Sequence, residues 1–230
     1  LYVGGGIVAA EASQRMIALA EKAGVPTTMT LMGLGAMPVD HPLSIGMLGM
    51  HAARYTNYVL EEADLLIVLG ARFDDRAVGK VEKFCPDALV IHIDIDAAEL
   101  GKIRRPQVSL CANVADALEA LLPRVKAQPR QEWLARVNAL KAESPMQLPF
   151  ADDPRSHYGL VLAVADALDD EAVIATDVGQ HQMWVAQAYP LRRPRQWLTS
   201  GGLGTMGFGM PAAIGAALAQ PERTVVCFSG

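Results

Sequence analysis

Two segments concentrate the groups that could do chemistry. Gly70-Ala71-Arg72-Phe73-Asp74-Asp75-Arg76 follows the apolar run Leu65 to Leu69, so a buried strand would deliver two arginines, two aspartates and an aromatic ring into one cleft. Guanidinium groups suit phosphate and the aspartates would hold them; a solvated charged loop is the rival reading. Gly201 to Gly209 carries five glycines in nine residues ahead of a helix started by Pro211, too dense for core packing alone. Close approach of backbone to a ligand accounts for such a loop, in which Met206 by itself would be ordinary core filler.

Weaker signals point the same way. Gly4-x-Gly6-x-x-Ala9 has the lettering of a dinucleotide fingerprint, although an ordinary strand-to-helix turn produces the same letters. The second strand ends in Thr30 where that fingerprint expects an acid for the ribose, which argues against NAD. The first strand-end acid is Asp94, within His92-Ile93-Asp94-Ile95-Asp96, where a ribose or adenine contact and a plain solvated turn are both open. Asp177 to Met183 puts polar residues at a strand-to-helix junction. His181 falls at that helix N-terminus, where phosphate is favoured, though a lone histidine is usually structural.

These residues need elements to position them. Leu1 to Val3 run into Gly4, Gly5 and Gly6, after which Ala12, Met16, Leu19, Ala20 and Ala23 recur at helical spacing until Gly24. Strands are predicted at Val25 to Thr30, Asp64 to Leu69, Ala88 to Asp94 and Val108 to Cys111, with a helix over His51 to Glu62. The apolar stripe from Val114 to Val125 predicts a last helix on the sheet. Residues 1–125 thus read as an open parallel α/β domain, whose ligands belong beyond the carboxyl ends of the strands. Four prolines break residues 126–155, read as a linker with one helical piece, Trp133 to Ala142. Residues 156–230 begin a second α/β domain. Its expected elements are helices through Tyr158 to Leu168, His181 to Tyr189 and Pro211 to Ala219, and strands Ala172 to Asp177, Trp197 to Thr199 and Thr224 to Phe228.

Composition narrows the partners. The chain has 230 residues, 51% of them hydrophobic, enough for a substantial core without disulfides, which excludes disorder. A net charge of -5 without a basic run gives no footprint for nucleic acid or an anionic membrane. Apolar stretches are of strand length, too short to span a bilayer. Cys85, Cys111 and Cys227 lack metal-ligand spacing and read as reduced, mostly buried thiols of an intracellular protein. The chain opens inside a strand and stops directly after another, so it is expected to be a piece of a longer protein.

Taken in order, Leu1 to Gly6, Thr30 to Gly35, Gly46 to His51, Gly70 to Arg76, Ile91 to Asp96, Thr176 to Trp184 and Thr199 to Gly209 resemble the catalytic subunits of the acetolactate synthase (acetohydroxyacid synthase) family of thiamine-diphosphate enzymes. The resemblance covers nearly the whole chain. It implies a Rossmann-like FAD-binding middle domain followed by a truncated thiamine-diphosphate-binding domain. By residue, it assigns FAD to Gly5, Thr30, Leu31, Met32, Gly33, Leu48, Gly49, Met50, His51, Gly70, Ala71, Arg72, Phe73, Asp74, Asp75, Arg76, Asp94, Ile95, Asn113, Met183 and Gly201. Thiamine diphosphate would touch Gln180, His181, Gly204, Thr205 and Met206, with Gly204 and Met206 in catalytic roles: backbone groups of the loop hold the aminopyrimidine, and the Met206 side chain props the cofactor in a bent form. Two departures are Ala52 where the family has Gly and Asn113 where it has Asp. The family's activating glutamate lies in an earlier domain, and its Mg²⁺ ligands follow Gly230, so no metal ligand is expected within this chain.

The implied activity is decarboxylation of pyruvate and transfer of the hydroxyethyl unit to a second 2-keto acid, pyruvate or 2-ketobutyrate, the first common step of branched-chain amino-acid biosynthesis. Another FAD-containing relative of the pyruvate oxidase or glyoxylate carboligase type is the near alternative, and a non-catalytic nucleotide-binding module the distant one. The resemblance further implies a cytoplasmic enzyme, a homodimer or larger assembly with active sites at the subunit interface, and a small regulatory subunit as partner. The chain alone is expected to be inactive.

Overall fold

In the computed structural model, which describes residues 1–230, short apolar runs that end in glycine or a small polar residue build one parallel sheet. Its strands are β1 (Tyr2–Val3), β2 (Thr27–Met29), β3 (Ser44–Met47), β4 (Leu65–Leu69), β5 (Leu89–Asp94) and β6 (Val108–Cys111), in the spatial order β3-β2-β1-β4-β5-β6. All pairings are parallel, with Tyr2 between Thr28 and Val68. The strand order reverses between β1 and β4, and a crevice opens there at the carboxyl ends.

A parallel sheet needs both faces covered, and the pleat sends alternate residues to two cores. Val3, Met29, Leu69 and Ile93 join Met16, Leu19 and Leu118 from α2 (Ser13–Ala23) and α5 (Val114–Leu121). Tyr2, Val68 and Val90 meet Leu60 of α3 (Arg54–Glu61) and Phe73 on the opposite face. Gly24, at φ 60°, closes α2 in the left-handed conformation, and the Asn113 side chain caps α5 by accepting from the Ala115 N–H at 2.9 Å.

Several expectations are corrected. The segment after β1 forms two helices, α1 (Gly5–Ala9) and α2, because Glu11 between them takes φ 52°. The helix expected from His51 begins at Arg54, since Ala53 is extended. β3 was not anticipated: Gly46 at φ 72° interrupts its alternation. Cys85 is buried, but Cys111 is exposed on edge strand β6.

The 126–155 stretch carries α6 (Gln131–Glu143), whose Val137 and Leu140 bury against Ile45 and Val59, so this helix packs on the first sheet's side of the molecule. Beyond it, α7 (His157–Asp166) is capped by Ser156, whose Oγ accepts from the Gly159 N–H at 3.0 Å. A second parallel sheet, ordered β8-β7-β9, is made of β7 (Val173–Thr176), β8 (Trp197–Thr199) and β9 (Val225–Phe228). Val161 of α7 and Val185 of α8 (Gln180–Ala188) pack with Ile174, and α9 (Gly209–Ala219) completes the unit.

Candidate functional site

The ends of β1, β2, β4 and β5 face the loop after β8 across a cleft of about 1010 Å³. Its first wall includes Gly5, Thr30, Leu31, Met32, Leu48, His51, Gly70, Ala71, Arg72, Asp74, Asp75, Arg76, Asp94, Ile95 and Asn113; its second wall includes Met183, Gly201 and Gly204. These expected residues, scattered along 200 positions, are brought to one place because every strand points its carboxyl end the same way.

Backbone proximity explains the glycines of the first turn. A Cβ on Gly4 would lie 2.2 Å from the Gly70 carbonyl oxygen, and one on Gly6 would lie 2.7 Å from the Gly70 Cα. These two glycines let the β1 and β4 turns touch, so the fingerprint lettering here serves packing. Gly5 faces Met32, and a Cβ added to it would lie 3.2 Å from the Met32 Cβ. Thr30 is spent locally: its Oγ1 accepts from the Gly33 N–H at 3.1 Å and fixes the turn Leu31–Gly33.

The Gly70 to Arg76 segment departs from expectation in two respects. Phe73 does not enter the cleft; it is buried, packing edge-on to Tyr2 at 5.5 Å and to His92 at 5.3 Å between ring centroids. The aspartates do not hold both arginines either. Asp74 caps α4 (Asp75–Val78) by accepting from the Ala77 N–H at 3.2 Å, and Asp75 pairs only with exposed Arg76, at 3.9 Å. Arg72 is exposed to the cleft without an ion pair, which leaves its charge available to an anion.

Asp94 is buried at the end of β5, where its Oδ1 accepts from the Asp96 N–H at 2.9 Å. Beside it, burial pulls the His92 imidazole below its ordinary value, opposed by the bond to Ala71 and by the Asp94 and Glu99 carboxylates. Cys85 offers no nucleophile, since burial pushes its thiol up to about 12.

On the second wall, a polar cluster fixes the loop after β8. Thr199 Oγ1 accepts from Thr176 Oγ1 at 2.9 Å and from Gln182 Nε2 at 2.7 Å. Asp177 latches the far side of the loop, accepting from the N–H groups of Gly207 at 2.9 Å and Gly209 at 3.2 Å, as well as Val178 at 2.8 Å. These backbone bonds hold its carboxyl below the usual carboxylate value.

Eight expected residues lie off the cleft wall. Gly33 is buried behind it, 2.6 Å from the Val3 carbonyl oxygen at the Cβ position, and Gly49 packs equally closely on the Arg76 backbone. Phe73 lies in the core, and Met50 is 65% exposed, its N–H bonded to the Arg76 carbonyl at 3.0 Å. Gln180, Thr205 and Met206 are solvent-exposed, Met206 at 83%, in an open part of the second unit. His181 sits under Gly230, and its Nε2 is buried without a hydrogen-bond partner. Val178, Gln182, Ser200, Gly202 and Leu203 line the second wall and were not singled out as site residues. Their adjacency to Gly201 and Gly204 was the available signal.

Residues 1–121 match the family model described as thiamine pyrophosphate enzyme, central domain, and residues 177–230 match the one described as thiamine pyrophosphate enzyme, C-terminal TPP binding domain. The whole chain is 67% identical to acetolactate synthase isozyme 1 large subunit of Escherichia coli K12, covering 41% of that protein. It is 48% identical to the acetolactate synthase large subunit of Parasynechococcus marenigrum and 45% identical to the chloroplastic acetolactate synthase 2 of Zea mays, covering 38% and 37% of those chains. It therefore spans about two fifths of the length of these relatives.

Proposed function

The chain belongs to the thiamine pyrophosphate enzymes, and from that premise we propose that it is the FAD-binding part, residues 1–125, a linker, 126–155, and the beginning, 156–230, of the thiamine-diphosphate-binding part of an acetolactate synthase large subunit. The protein that carries it converts pyruvate and a second 2-keto acid, pyruvate or 2-ketobutyrate, to an acetohydroxy acid, the entry to branched-chain amino acids. The observation that carries this reading is the cleft of about 1010 Å³ with exposed, unpaired Arg72 on its wall. Its volume is at the top of the ~300–1,000 Å³ range of small-molecule sites, as a dinucleotide requires.

The residues present fit FAD. Arg72 and Arg76 offer charge to the diphosphate, the Gly5 turn admits close approach, and Asp94 with Asn113 stands at the β5–β6 end for the adenosine. The flavin is a structural group in this reading. They also fit one end of thiamine diphosphate: the orphaned His181 Nε2 lacks the partner a phosphate oxygen would supply, and the Gly202 and Gly207 positions have no atom within 4 Å of a built Cβ. When bound, thiamine diphosphate supplies the electron sink for making and breaking a carbon–carbon bond beside a carbonyl. Gly204, at φ 64°, would hold the aminopyrimidine through its backbone, and Met206 would support it. No three His, Cys, Asp or Glu side chains are grouped to hold a metal.

No helix is long and apolar enough to cross a membrane; the cytoplasm is the location proposed with the enzyme reading. A small regulatory subunit and a second catalytic subunit are the proposed protein partners. The test has two parts: titration of the chain with FAD, with NAD as control, and assay of acetolactate formation from pyruvate by the protein that carries it, supplied with thiamine diphosphate and Mg²⁺. Failure to bind FAD overturns the cleft assignment, and acetyl phosphate formed when phosphate and oxygen are added with pyruvate, or tartronate semialdehyde formed when glyoxylate replaces pyruvate, would place the protein with the oxidases or glyoxylate carboligases.

A further inference from the structure

Arg72 can serve a ligand only if the backbone beneath it is held, and past Gly70, whose N–H still donates to the Ile93 carbonyl at 2.9 Å, the segment from Ala71 to Phe73 lies outside the ladder of β4. Two buried side chains from different strands hold it. The Tyr2 hydroxyl, from β1, donates to the Arg72 carbonyl at 2.9 Å. His92 Nε2, from β5, lies 3.0 Å from the Ala71 carbonyl oxygen. A carbonyl only accepts, so Nε2 carries the proton, and Nδ1, which is buried and has no partner, is the bare nitrogen of a neutral ring. Tyr2 and His92 are both 0% exposed, so neither bond competes with water. Phe73 packs edge-on against both rings, with interplanar angles of 86° and 85°.

We infer that Tyr2 and His92 are positioning residues for the candidate cofactor site: they draw the Ala71 and Arg72 carbonyls into the core and so present the Arg72 guanidinium to the cleft. This inference rests on the reading of the cleft as a dinucleotide site. The geometry has the two parts that preorganisation requires, a ligand group on an otherwise unladdered segment and a rigid shell behind it. The sequence accounts for the arrangement, since Tyr2 and His92 fall on the same face of the pleat and flank β4 from its two sides. Tyrosine brings a neutral donor whose ionisation burial pushes further out of reach, and histidine brings a donor at the length an aliphatic residue cannot match.

The experiment compares Tyr2→Phe, His92→Leu and His92→Gln with the unaltered chain. Phenylalanine keeps the ring and loses the hydroxyl; glutamine keeps an N–H donor near the Nε2 position, whereas leucine does not. The first readout, amide hydrogen exchange across residues 70–76 without cofactor, is expected to accelerate at least tenfold in Tyr2→Phe and His92→Leu and to return toward the unaltered rate in His92→Gln. The second readout, FAD titration, is expected to show at least tenfold weaker binding in the first two variants and recovery in the third. Unchanged exchange in both donor-lacking variants overturns the inference, as does unchanged FAD affinity despite faster exchange. Loss of folding in His92→Leu leaves Tyr2→Phe to decide. If the unaltered chain takes no FAD while the segment still loosens as expected, the cofactor reading fails and the pinning role stands on the exchange data.

Discussion

Arg72 carries the residue-scale case, because an exposed guanidinium on a cleft wall without an ion pair has a job only when an anion arrives. Hydrogen bonds to charged groups contribute about 1.5–3 kcal/mol, which corresponds to roughly 10- to 150-fold in affinity. Arg72→Ala should therefore weaken FAD binding by about that factor with little change in melting temperature, and isothermal titration checks it. Arg76→Ala should have a smaller effect, since that side chain is 76% exposed and already faces Asp75. His92 gives a pH signature. Its folded value is depressed below the ordinary 6.5, so the unfolded chain binds more protons as pH falls, and stability present above that value is lost on acidification. Asp94 and Glu99 are the charged groups facing it. His92→Gln removes this dependence, and its melting temperature should fall less between about pH 7 and about pH 5 than that of the unaltered chain. Arg72 was legible in the sequence because its charge follows a buried strand. Phe73 was misread because the in-out alternation of β4 persists past the strand's end, with Ala71 buried, Arg72 exposed and Phe73 buried again.

At the scale of elements, the Gly-rich loop is held at its two ends by different chemistry. Thr199 joins a hydroxyl and amide cluster beneath the start of the loop, while the Asp177 carboxylate bonds the Gly207 and Gly209 N–H groups at its end. A Cβ on Gly209 would lie 2.5 Å from the Asp177 nitrogen, so no other residue lets the loop close this tightly on β7. Asp177→Ala should loosen residues 200–209, seen as faster amide exchange and weaker thiamine diphosphate binding by the protein that carries the chain. Because these bonds depress the carboxyl, the latch stays charged through neutral and mildly acidic pH and is released only as pH falls below 3.8 toward the lower folded value. Unchanged exchange in this loop would remove Asp177 from its support. The strand-glycine-helix alternation made most elements legible, and β6 and β8 have the expected ends. β3 escaped because Gly46 breaks a four-residue pattern, and the α1–α2 break escaped because Glu11 adopts a left-handed conformation that its residue type does not advertise.

The second wall of the cleft belongs to the whole molecule, and it was the least legible feature, since no local periodicity specifies how two sheets sit against each other. Their contact combines backbone and side-chain bonds. The Val39 N–H donates to the Leu191 carbonyl at 3.1 Å, Gln187 Nε2 to the His51 carbonyl at 2.9 Å, and Arg192 bridges Asp40 at 3.1 Å to Asp170 at 2.6 Å. Gly35 lies at the centre of this contact, buried at φ 87°, where a Cβ would come within 2.2 Å of the Arg193 carbonyl oxygen. Gly35→Ala must then either strain the backbone or push the two units apart, and Gly35 does not itself line the cleft. Backbone strain of this kind costs about 1–3 kcal/mol, and if opening relieves it, closing around the ligand must restore it. FAD affinity should fall by roughly 5- to 150-fold on that account. Gly101→Ala serves as the control. Gly101 has φ 77°, and a Cβ added there would meet only Pro106 Cδ, at 3.8 Å, so it shares the backbone penalty without touching the second unit. Titration of both variants with FAD, with small-angle scattering to follow their separation, decides the matter: if Gly35→Ala binds as tightly as Gly101→Ala, the cleft is complete within the first sheet and its second wall contributes nothing to binding.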